Sequence, residues 1–314
     1  MIRTVTLNPA VDRTATIERF AVDAVNRVSA SRLDAGGKGI NVSKAVRALG
    51  SQSVAYGFLG GAPGRFIRSY LDGQGMAHRF IEVEGESRTN LKIVDPVLGT
   101  HTDVNESGPR ASPDEVRRLE AELFAGAGSD DVFVFSGSVC PGVDAGIYAE
   151  WIARARAAGA SSVLDADGEA LRLGAAAGPT IVKPNLDELE RLVGTKLSAG
   201  GIVDAPAVVT AARGLIALGA SMVVVSLGAD GALFIDRARA IRAHGVPIRA
   251  LCTVGAGDSV VAALCLGLQR GDSLERLVRP AVAAGTAAAA TAGSQAFDPA
   301  SLPAYEAQVT YEIL

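Results

Sequence analysis

The sequence is poor in the residues that disulfide-bonded, metal-binding and nucleic-acid-binding proteins need. Its 314 residues include only three cysteines, Cys140, Cys252 and Cys265, too few and too scattered for a disulfide framework or a zinc site. The three histidines lie far apart and lack metal-ligand spacing. The net charge of −4 argues against nucleic acid or an anionic membrane as a partner. These absences exclude several classes of partner before any motif is considered.

Long apolar runs and export signals are lacking as well. No stretch of about eighteen apolar residues suggests a membrane span. The first residues lack a basic region followed by an apolar stretch and a cleavage site. We therefore expect a cytoplasmic protein without a membrane-spanning segment.

Short apolar segments alternate with helical ones along most of the chain. Strands are predicted at residues 2–7, 53–58, 131–136, 162–165, 180–183, 221–227 and 231–235, and helices at 41–49, 65–71, 113–123, 146–158, 205–218 and 274–290. Such alternation predicts a mainly parallel sheet with helices on both faces. Because no repeat or linker divides the sequence, we expect one α/β domain over residues 1–314.

Two segments, at about 11–33 and 86–107, depart from this pattern. They are half-alternating, rich in Thr, Val, Ser and Arg, and predict exposed strands at 14–20, 26–33, 88–94 and 100–105. We expect them to form a small β-sheet lid inserted in the domain. Apolar residues at alternate positions (Ile17, Val28, Leu91 and Ile93) would leave one lid face uncovered, so we expect two lids to pack together in a homodimer.

The glycine-rich stretch at 253–259, Thr-Val-Gly-Ala-Gly-Asp-Ser, precedes an apolar run at 260–268 that is long enough for a helix. A helix N-terminus carries unpaired N–H groups and partial positive charge, and it is a natural phosphate site. Asp258 stands where a substrate hydroxyl could meet a phosphoryl group. On these residues alone, the interpretation of Asp258 as a helix cap is equally good.

Polar side chains follow several predicted strands. In open parallel sheets, ligands bind beyond the carboxyl ends of the strands, so these residues predict a shared cleft. The residues are Asp12, Ser138, Asp165, Lys183, Asn185, Glu188, Ser226 and Gly228. Each could instead cap a following helix, and for Ser226 and Asp165 taken singly capping is the better interpretation.

Other catalytic motifs are absent. No Gly-x-x-x-x-Gly-Lys-Ser/Thr stretch occurs, which excludes a Walker-type phosphate loop, and no Gly-x-Gly-x-x-Gly follows the first strand. The missing glycine fingerprint disfavours a dinucleotide-dependent oxidoreductase. Nothing in the sequence places a Ser–His–Asp triad.

Three stretches in a fixed order carry a family resemblance. They read Gly-Gly-Lys-Gly-Ile-Asn at 36–41, Lys-Pro-Asn-Leu-Asp-Glu at 183–188, and the glycine-rich turn at 253–259. On these stretches the chain resembles the ribokinase/phosphofructokinase-B family of carbohydrate kinases over essentially its full length. The resemblance implies a ribokinase-like three-layer α/β/α fold with a small β-sheet lid.

Further stretches narrow the resemblance. The stretch at 6–12 is similar to the sugar-phosphate branch of the family, and those at 26–28, 88–93 and 102–109 look most like bacterial 1-phosphofructokinases. This implies transfer of a phosphoryl group from ATP, with Mg²⁺, to the 6-hydroxyl of fructose 1-phosphate. Tagatose-6-phosphate kinase and 6-phosphofructokinase activities stay open, because relatives with those activities share these stretches. A non-catalytic sugar-phosphate or nucleotide sensor of the same fold is a further alternative.

The resemblance also assigns roles to single residues. Asp258 matches the family's catalytic base, and the N–H groups of Gly255, Ala256 and Gly257 match its anion hole. This division suits phosphoryl transfer, in which positioning and electrostatics dominate. The other matches are Asp12, Gly37, Asn41, Asn90 and Ser138 for the sugar, Lys183, Asn185, Ser226, Gly228 and Thr253 for the nucleotide, and Asn185 with Glu188 for Mg²⁺ through water.

The phosphate of the acceptor sugar needs cationic side chains. Arg88 is the first candidate, Arg27 the second and Lys38 the third, since Arg presents a planar fork that matches phosphate oxygens. Arg27 and Arg88 fall in the two lid segments, so closure of the lid would bring both over the sugar. The alternative for each is a solvated arginine on an exposed sheet.

Overall fold

Sixteen strands and ten α-helices follow one another along residues 1–291 and 296–314, the part of the chain that the computed structural model describes. The first half comprises β1 (Ile2–Thr6), β2 (Ala10–Thr16), β3 (Ala30–Gly36), α1 (Lys38–Ala48), β4 (Ser53–Leu59), α2 (Gly61–Gly73), β5 (Ala77–Glu82), β6 (Arg88–Asp95), β7 (Thr100–Val104), α3 (Pro113–Phe124), β8 (Val132–Ser136) and α4 (Ile147–Ala157). The second half comprises β9 (Ser161–Asp165), α5 (Gly168–Ala176), β10 (Ile181–Val182), α6 (Leu186–Val193), β11 (Ser198–Ala199), β12 (Ile202–Val203), α7 (Ala205–Leu218), β13 (Met222–Ser226), β14 (Ala232–Ile235), β15 (Ala240–Ala243), α8 (Ala256–Arg270), α9 (Leu274–Ala289), α10 (Leu302–Gln308) and β16 (Tyr311–Ile313).

The central sheet has ten strands among the described residues, in the order β16-β15-β14-β13-β10-β9-β8-β1-β4-β5. The run from β13 to β5 is parallel, and β14, β15 and β16 extend it as an antiparallel edge. Thr6 of β1 pairs with Ser136 of β8, which pairs with Asp165 of β9, so these strands end level with one another. The predicted mainly parallel sheet is confirmed.

The helices form two layers, one on each face of the sheet. On one face α3, α4, α5, α6 and α7 pack around Trp151, Phe133 and Phe135, which are fully buried. On the other face α1, α8 and α9 pack around Val134 and Phe234. Successive residues of β8 therefore enter opposite layers, as the strand period of two requires. Burial on both faces explains why the central strands are uninterrupted runs of apolar residues.

Helix α1 begins at Lys38, earlier than the predicted start at 41. Its first turn packs directly on β1: a Cβ on Gly39 would lie 2.6 Å from the Val5 carbonyl oxygen and 2.5 Å from Thr6 Oγ1. The Ile40 N–H donates to Thr6 Oγ1 at 3.1 Å. Only glycine permits this close approach, which holds Lys38 and Asn41 at the carboxyl edge of the sheet.

The lid is a four-stranded sheet in the order β3-β2-β6-β7. Each insertion forms an antiparallel pair, and β2 joins the two insertions by pairing in parallel with β6. Two lid strands were predicted at 14–20 and 26–33, but the observed strands are Ala10–Thr16 and Ala30–Gly36, so both predicted bounds were wrong. Arg19 and Asp23 have φ angles of 56° and 59°, a left-handed backbone that a strand cannot contain.

The apolar residues of the lid are not all on one open face. Ile17 and Ile93 are buried within the described chain, at 7% exposure each, whereas Val28 remains 48% exposed. The expectation that all these residues need a second lid was therefore wrong for Ile17 and Ile93.

Candidate active site

A cleft of about 940 Å³ lies between the lid and the carboxyl edge of the parallel strands. Nearly every site residue that was predicted from the sequence lines this cleft. Those lining it are Asp12, Gly37, Lys38, Asn41, Arg88, Asn90, Lys183, Asn185, Glu188, Ser226, Gly228, Thr253, Gly255, Ala256, Gly257 and Asp258. Asp12 and Asp258, which are 246 positions apart in sequence, thus line one cleft, as the strand-end argument predicts.

Two of the predicted residues lie elsewhere. Ser138 lines a separate cavity of about 260 Å³, which also has Lys38, Arg88 and Glu188 in its wall. Arg27 lies in the loop between β2 and β3 with its side chain exposed, and it lines neither cavity. Arg88 and Arg27 are therefore not brought together within one chain.

Asp258 lies in the first turn of α8, buried at 5% exposure. The residue that caps α8 is Gly255, with φ 82°, so the alternative interpretation of Asp258 as the cap was wrong. Asn41 Nδ2 donates to Asp258 Oδ2 at 2.9 Å. Burial, reinforced by the negative charge of Asp165, raises the pKa of Asp258 to about 6. The carboxylate is thus largely ionised at neutral pH and able to accept a proton.

The backbone around Gly255 uses one of the three amides that were predicted for an anion hole. The Ser259 N–H donates to the Gly255 carbonyl at 2.9 Å, and the Ala256 N–H donates to the Thr253 carbonyl at 3.3 Å. Within the described chain, the N–H groups of Gly255 and Gly257 have no acceptor. In this conformation the amides of Gly255 and Gly257 are therefore available to a ligand, whereas that of Ala256 is used by the turn itself.

Three charged side chains act on Asp258, namely Asp165, Lys38 and Lys183. Asp165 Oδ1 lies 2.8 Å from Lys38 Nζ and 3.4 Å from Lys183 Nζ. Although burial opposes ionisation, the two lysines hold the pKa of Asp165 below its usual range. Although burial also opposes the charge of Lys38, the carboxylates of Asp165 and Glu188 raise its pKa. Asp165 caps no helix, since Asp167 caps α5, so the capping interpretation of Asp165 was wrong.

Asn185 and Glu188 form a reciprocal cap on α6. Asn185 Oδ1 accepts from the Glu188 N–H at 2.7 Å, and Glu188 Oε2 accepts from the Asn185 N–H at 2.8 Å. The structural interpretation of this pair is thus correct, and it leaves Glu188 Oε1 free to face the cleft, 3.6 Å from Lys38 Nζ. Asp165 Oδ2 is buried with no hydrogen-bond partner in the described chain.

The carboxylate oxygens of Glu188 and Asp165 fit a magnesium ion that takes most of its ligands from water and substrate phosphates. No cluster of three or more His, Cys, Asp or Glu side chains able to hold a metal occurs in residues 1–291 and 296–314. Mg²⁺ usually binds through one or two carboxylates together with water and substrate phosphates. Glu188 and Asp165 offer that number, and both line the cleft.

The lid side of the cleft is held by polar contacts. Asp12 lies in lid strand β2 rather than in a loop after β1, and Asn90 Nδ2 donates to its Oδ1 at 3.0 Å. Burial raises the pKa of Asp12, although the Asn90 hydrogen bond opposes that shift. Arg88 Nε donates to the Asn8 carbonyl at 3.1 Å, and its remaining N–H donors have no partner within the described residues. An anion beside Arg88 could therefore be bound without breaking an ion pair.

Comparison with known proteins agrees with this arrangement. The model of the pfkB family carbohydrate kinases matches residues 5–301. The chain is 40% identical to a 1-phosphofructokinase of Rhodobacter capsulatus, over 100% of this chain and 98% of that protein. It is 33% identical to a tagatose-6-phosphate kinase of Staphylococcus epidermidis, over 91% of each.

The chain belongs to the pfkB family of carbohydrate kinases. The fold agrees with this membership: phosphofructokinase-2 from Escherichia coli, crystallised with substrates and products, superposes with a TM-score of 0.90 at 33% identity, covering 98% of this chain and 99% of that one. The family resemblance, the ribokinase-like fold and the assignment as a phosphotransferase are thereby confirmed.

The far end of the cleft in this pfkB kinase has an apolar wall that the sequence did not reveal. Val246, Ile248, Val260, Val282 and Ala289 line the cleft together with Ser226, Gly228 and Thr253. These side chains come from the loop before α8 and from α8 and α9, and in sequence they are indistinguishable from core residues. Only the packing of α9 on α8 beside that loop brings them to one surface.

No helix of the described chain is long and apolar enough to cross a bilayer.

Proposed function

We propose that this pfkB kinase transfers the γ-phosphoryl group of ATP to the 6-hydroxyl of fructose 1-phosphate, giving fructose 1,6-bisphosphate. The observation that carries the proposal is the position of Asp258, a buried acid at a helix tip beside the free N–H groups of Gly255 and Gly257. The small cavity, in whose wall Arg88 and Lys38 lie together with Asp167 and Glu188, adds a place for an acceptor that already bears a phosphate.

Asp258 is the proton acceptor in this proposal. Its carboxylate removes the proton of the attacking hydroxyl as the new O–P bond forms. Asn41 Nδ2 holds one carboxylate oxygen at 2.9 Å, which leaves the other oxygen for the hydroxyl of the acceptor. Asn41 Oδ1 has no partner among the described residues and is available to accept from a sugar hydroxyl.

Charge that develops on the transferring phosphoryl group meets fixed donors. The N–H groups of Gly255 and Gly257 lie at the positive end of α8, and Lys183 Nζ lies 3.4 Å from the position that a Cβ on Gly257 would take. Donors held in place before the reaction stabilise such charge at little reorganisation cost. Lys183 is 3% exposed, so its charge is poorly screened by solvent.

Arg88, Lys38 and Ser138 are proposed to bind the phosphate of the acceptor. They share the 260 Å³ cavity, which opens beside Asn8 and Thr6 at the end of β1. Asp12, Asn90, Gly37 and Asn41 then line the path from this cavity to Asp258 and bind the sugar hydroxyls.

The nucleotide is proposed to lie against Ser226, Gly228 and Thr253, with its base on the apolar wall. Lys183 and Asn185 line the same cleft, and Asn185 forms an isolated bridge with Ser226. A magnesium ion held through water by Asn185 and Glu188, with Asp165 beside them, would neutralise the nucleotide phosphates.

A coupled assay for ADP release across sugar phosphates tests the proposed acceptor. We expect fructose 1-phosphate to turn over faster than fructose 6-phosphate or tagatose 6-phosphate. The reverse order would replace the proposal with one of the other two kinase activities, of which the Staphylococcus relative makes tagatose 6-phosphate the first to consider. Absence of turnover with all three, despite measurable binding, would favour the sensor.

We further propose that the kinase is a homodimer formed through its lids. Besides Val28, the lid segments expose apolar side chains at Val22, Val25, Leu33, Val97, Leu98 and Val104, each more than 48% exposed. An exposed contiguous apolar patch marks an interaction site, and contact between two lids would join these side chains into such a surface. A second lid would cover them, and it would carry Arg27 of one chain toward its partner.

A further inference from the structure

The ammonium group of Lys38 lies between two carboxylates. Its Nζ is 2.8 Å from Asp165 Oδ1 and 3.6 Å from Glu188 Oε1. The two acids are 1% and 8% exposed, whereas the Lys38 side chain is 35% exposed. The acids are therefore fixed within the protein, and the lysine is the member of the trio with room to move.

The same lysine borders both cavities. It lines the cleft in which the nucleotide is proposed to bind and the 260 Å³ cavity that contains Arg88 and Ser138. Lys38, Arg88 and Glu188 are common to the two walls, so a ligand in either cavity meets the ion pair of Lys38 and Glu188. A lysine side chain has a flexible four-carbon stem, so its charge can turn from one cavity to the other.

The carboxylates that Lys38 occupies are suited to a divalent cation. Asp165 Oδ2 is buried and lacks a hydrogen-bond partner in the described chain, and Glu188 Oε1 is the oxygen that the cap of α6 does not use. A divalent cation near these oxygens and the Lys38 ammonium between them repel each other. Binding of such a cation therefore requires the ammonium group to leave.

We propose that the ammonium group of Lys38 pairs with Asp165 and Glu188 until an anion binds in the small cavity and attracts it there. This movement of Lys38 couples acceptor binding to divalent-cation binding. The acceptor half of this proposal rests on the proposed function, because it takes the anion to be the phosphate of the sugar. By linkage the coupling is reciprocal, so a bound divalent cation raises acceptor affinity by the same factor.

The test uses Mn²⁺ as the probe and the full chain without nucleotide, with free Mn²⁺ measured by electron paramagnetic resonance. We expect Lys38→Gln to bind Mn²⁺ at least about tenfold more tightly than the wild type, since one positive charge beside two acids is removed. Lys38→Arg keeps the charge and is expected to match the wild type. Adding Glu188→Gln to Lys38→Gln, a change that preserves the cap of α6, should abolish the gain.

A second lysine controls for total charge. Lys92 also lines the cleft, but its Nζ lies 3.6 Å from Asp103 in the lid. Lys92→Gln is expected to leave Mn²⁺ affinity unchanged. Equal gains in Lys92→Gln and Lys38→Gln, or no gain in Lys38→Gln while its circular dichroism and melting match the wild type, would overturn the proposal.

The acceptor arm repeats the Mn²⁺ titration with saturating fructose 1-phosphate. Wild-type affinity for Mn²⁺ should rise, and that of Lys38→Gln should stay constant. Unchanged wild-type affinity despite bound fructose 1-phosphate would refute the coupling and leave the proposed function standing. If the assay of turnover selects another sugar phosphate, the proposed acceptor fails alone, and the same titration with that sugar phosphate decides the coupling.

Discussion

Asn41 Nδ2 donates a hydrogen bond of 2.9 Å to Asp258 Oδ2 and thereby ties the start of α1 to the start of α8. The two residues are 217 positions apart, and each lies in one of the stretches that carry the family resemblance. Both helices pack on the same face of the sheet. The hydrogen bond thus fixes the acid relative to the first turn of α1, which is proposed to bind the sugar.

The environment of Asp258 predicts a pH-dependent rate. Burial raises the pKa of this acid to about 6, and a proton acceptor works only in its ionised form. We expect kcat/KM to fall as the pH is lowered through about 6, because protonated Asp258 cannot take the hydroxyl proton. The Asn41 hydrogen bond stabilises the carboxylate, so Asn41→Ala should move this limb to higher pH. A rate that stays level through the weakly acidic range would contradict the assignment.

Gly255 and Gly75 form a matched pair for testing the anion hole. Their φ angles are 82° and 62°, and a Cβ added to either would meet nothing within 4 Å. Alanine at each position should lower the free energy of unfolding by about 1–2 kcal/mol through backbone strain. Only Gly255→Ala should also lower kcat, by at least about tenfold, because it displaces the amides that are proposed to bind the transferring phosphoryl group. Equal kcat values in the two variants would argue against an anion hole at this turn.

Arg88 is expected to control acceptor affinity. Arg88→Ala should raise the KM for fructose 1-phosphate by about tenfold or more, since a charged hydrogen-bond donor to phosphate is lost. Arg88→Lys keeps the charge but not the fork, so we expect partial recovery. The control is Arg65→Ala, at an exposed position of α2. An unchanged KM in Arg88→Ala would place the phosphate elsewhere.

The lid interface is tested by sedimentation. Val22 and Val25 are 88% and 87% exposed, so aspartate at both positions should leave folding intact and oppose contact between two lids. We expect the wild type to sediment as a dimer at micromolar concentration and the double variant as a monomer. The interface is refuted by a wild type that is monomeric at that concentration. Leu218→Asp, at an exposed position far from the lid in sequence, is the control.

Strong local patterns made much of the fold predictable. Helix α7 has the predicted bounds, and the alternation of apolar strands with helices was sufficient for the layered parallel sheet. Strands β5, β15 and β16 were missed. β5 and β16 are the two edge strands of the sheet, where burial is incomplete and the apolar pattern weak, whereas β15 is largely buried but only four residues long. Their pairing is decided by neighbours distant in sequence.

The candidate site was predictable where a glycine or a strand end dictates the backbone. The ion pairs of the site were not predictable. Asp165, for example, pairs with Lys38 from α1 and with Lys183 from the end of β10. In the sequence, an aspartate at the end of a strand looks the same whether it caps a helix or pairs with lysines that are distant along the chain. The use of the Ala256 N–H inside its own turn likewise depends on geometry that sequence does not display.

The most direct test of the whole account is ATP-dependent phosphorylation of fructose 1-phosphate by the wild type and by Asp258→Asn, with binding of fructose 1-phosphate measured by calorimetry on both. The substitution keeps the shape of the side chain and removes the proton acceptor. We expect turnover to fall by about 10²–10⁴-fold while binding persists. Turnover in Asp258→Asn equal to that of the wild type would remove this acid from the mechanism and contradict the account.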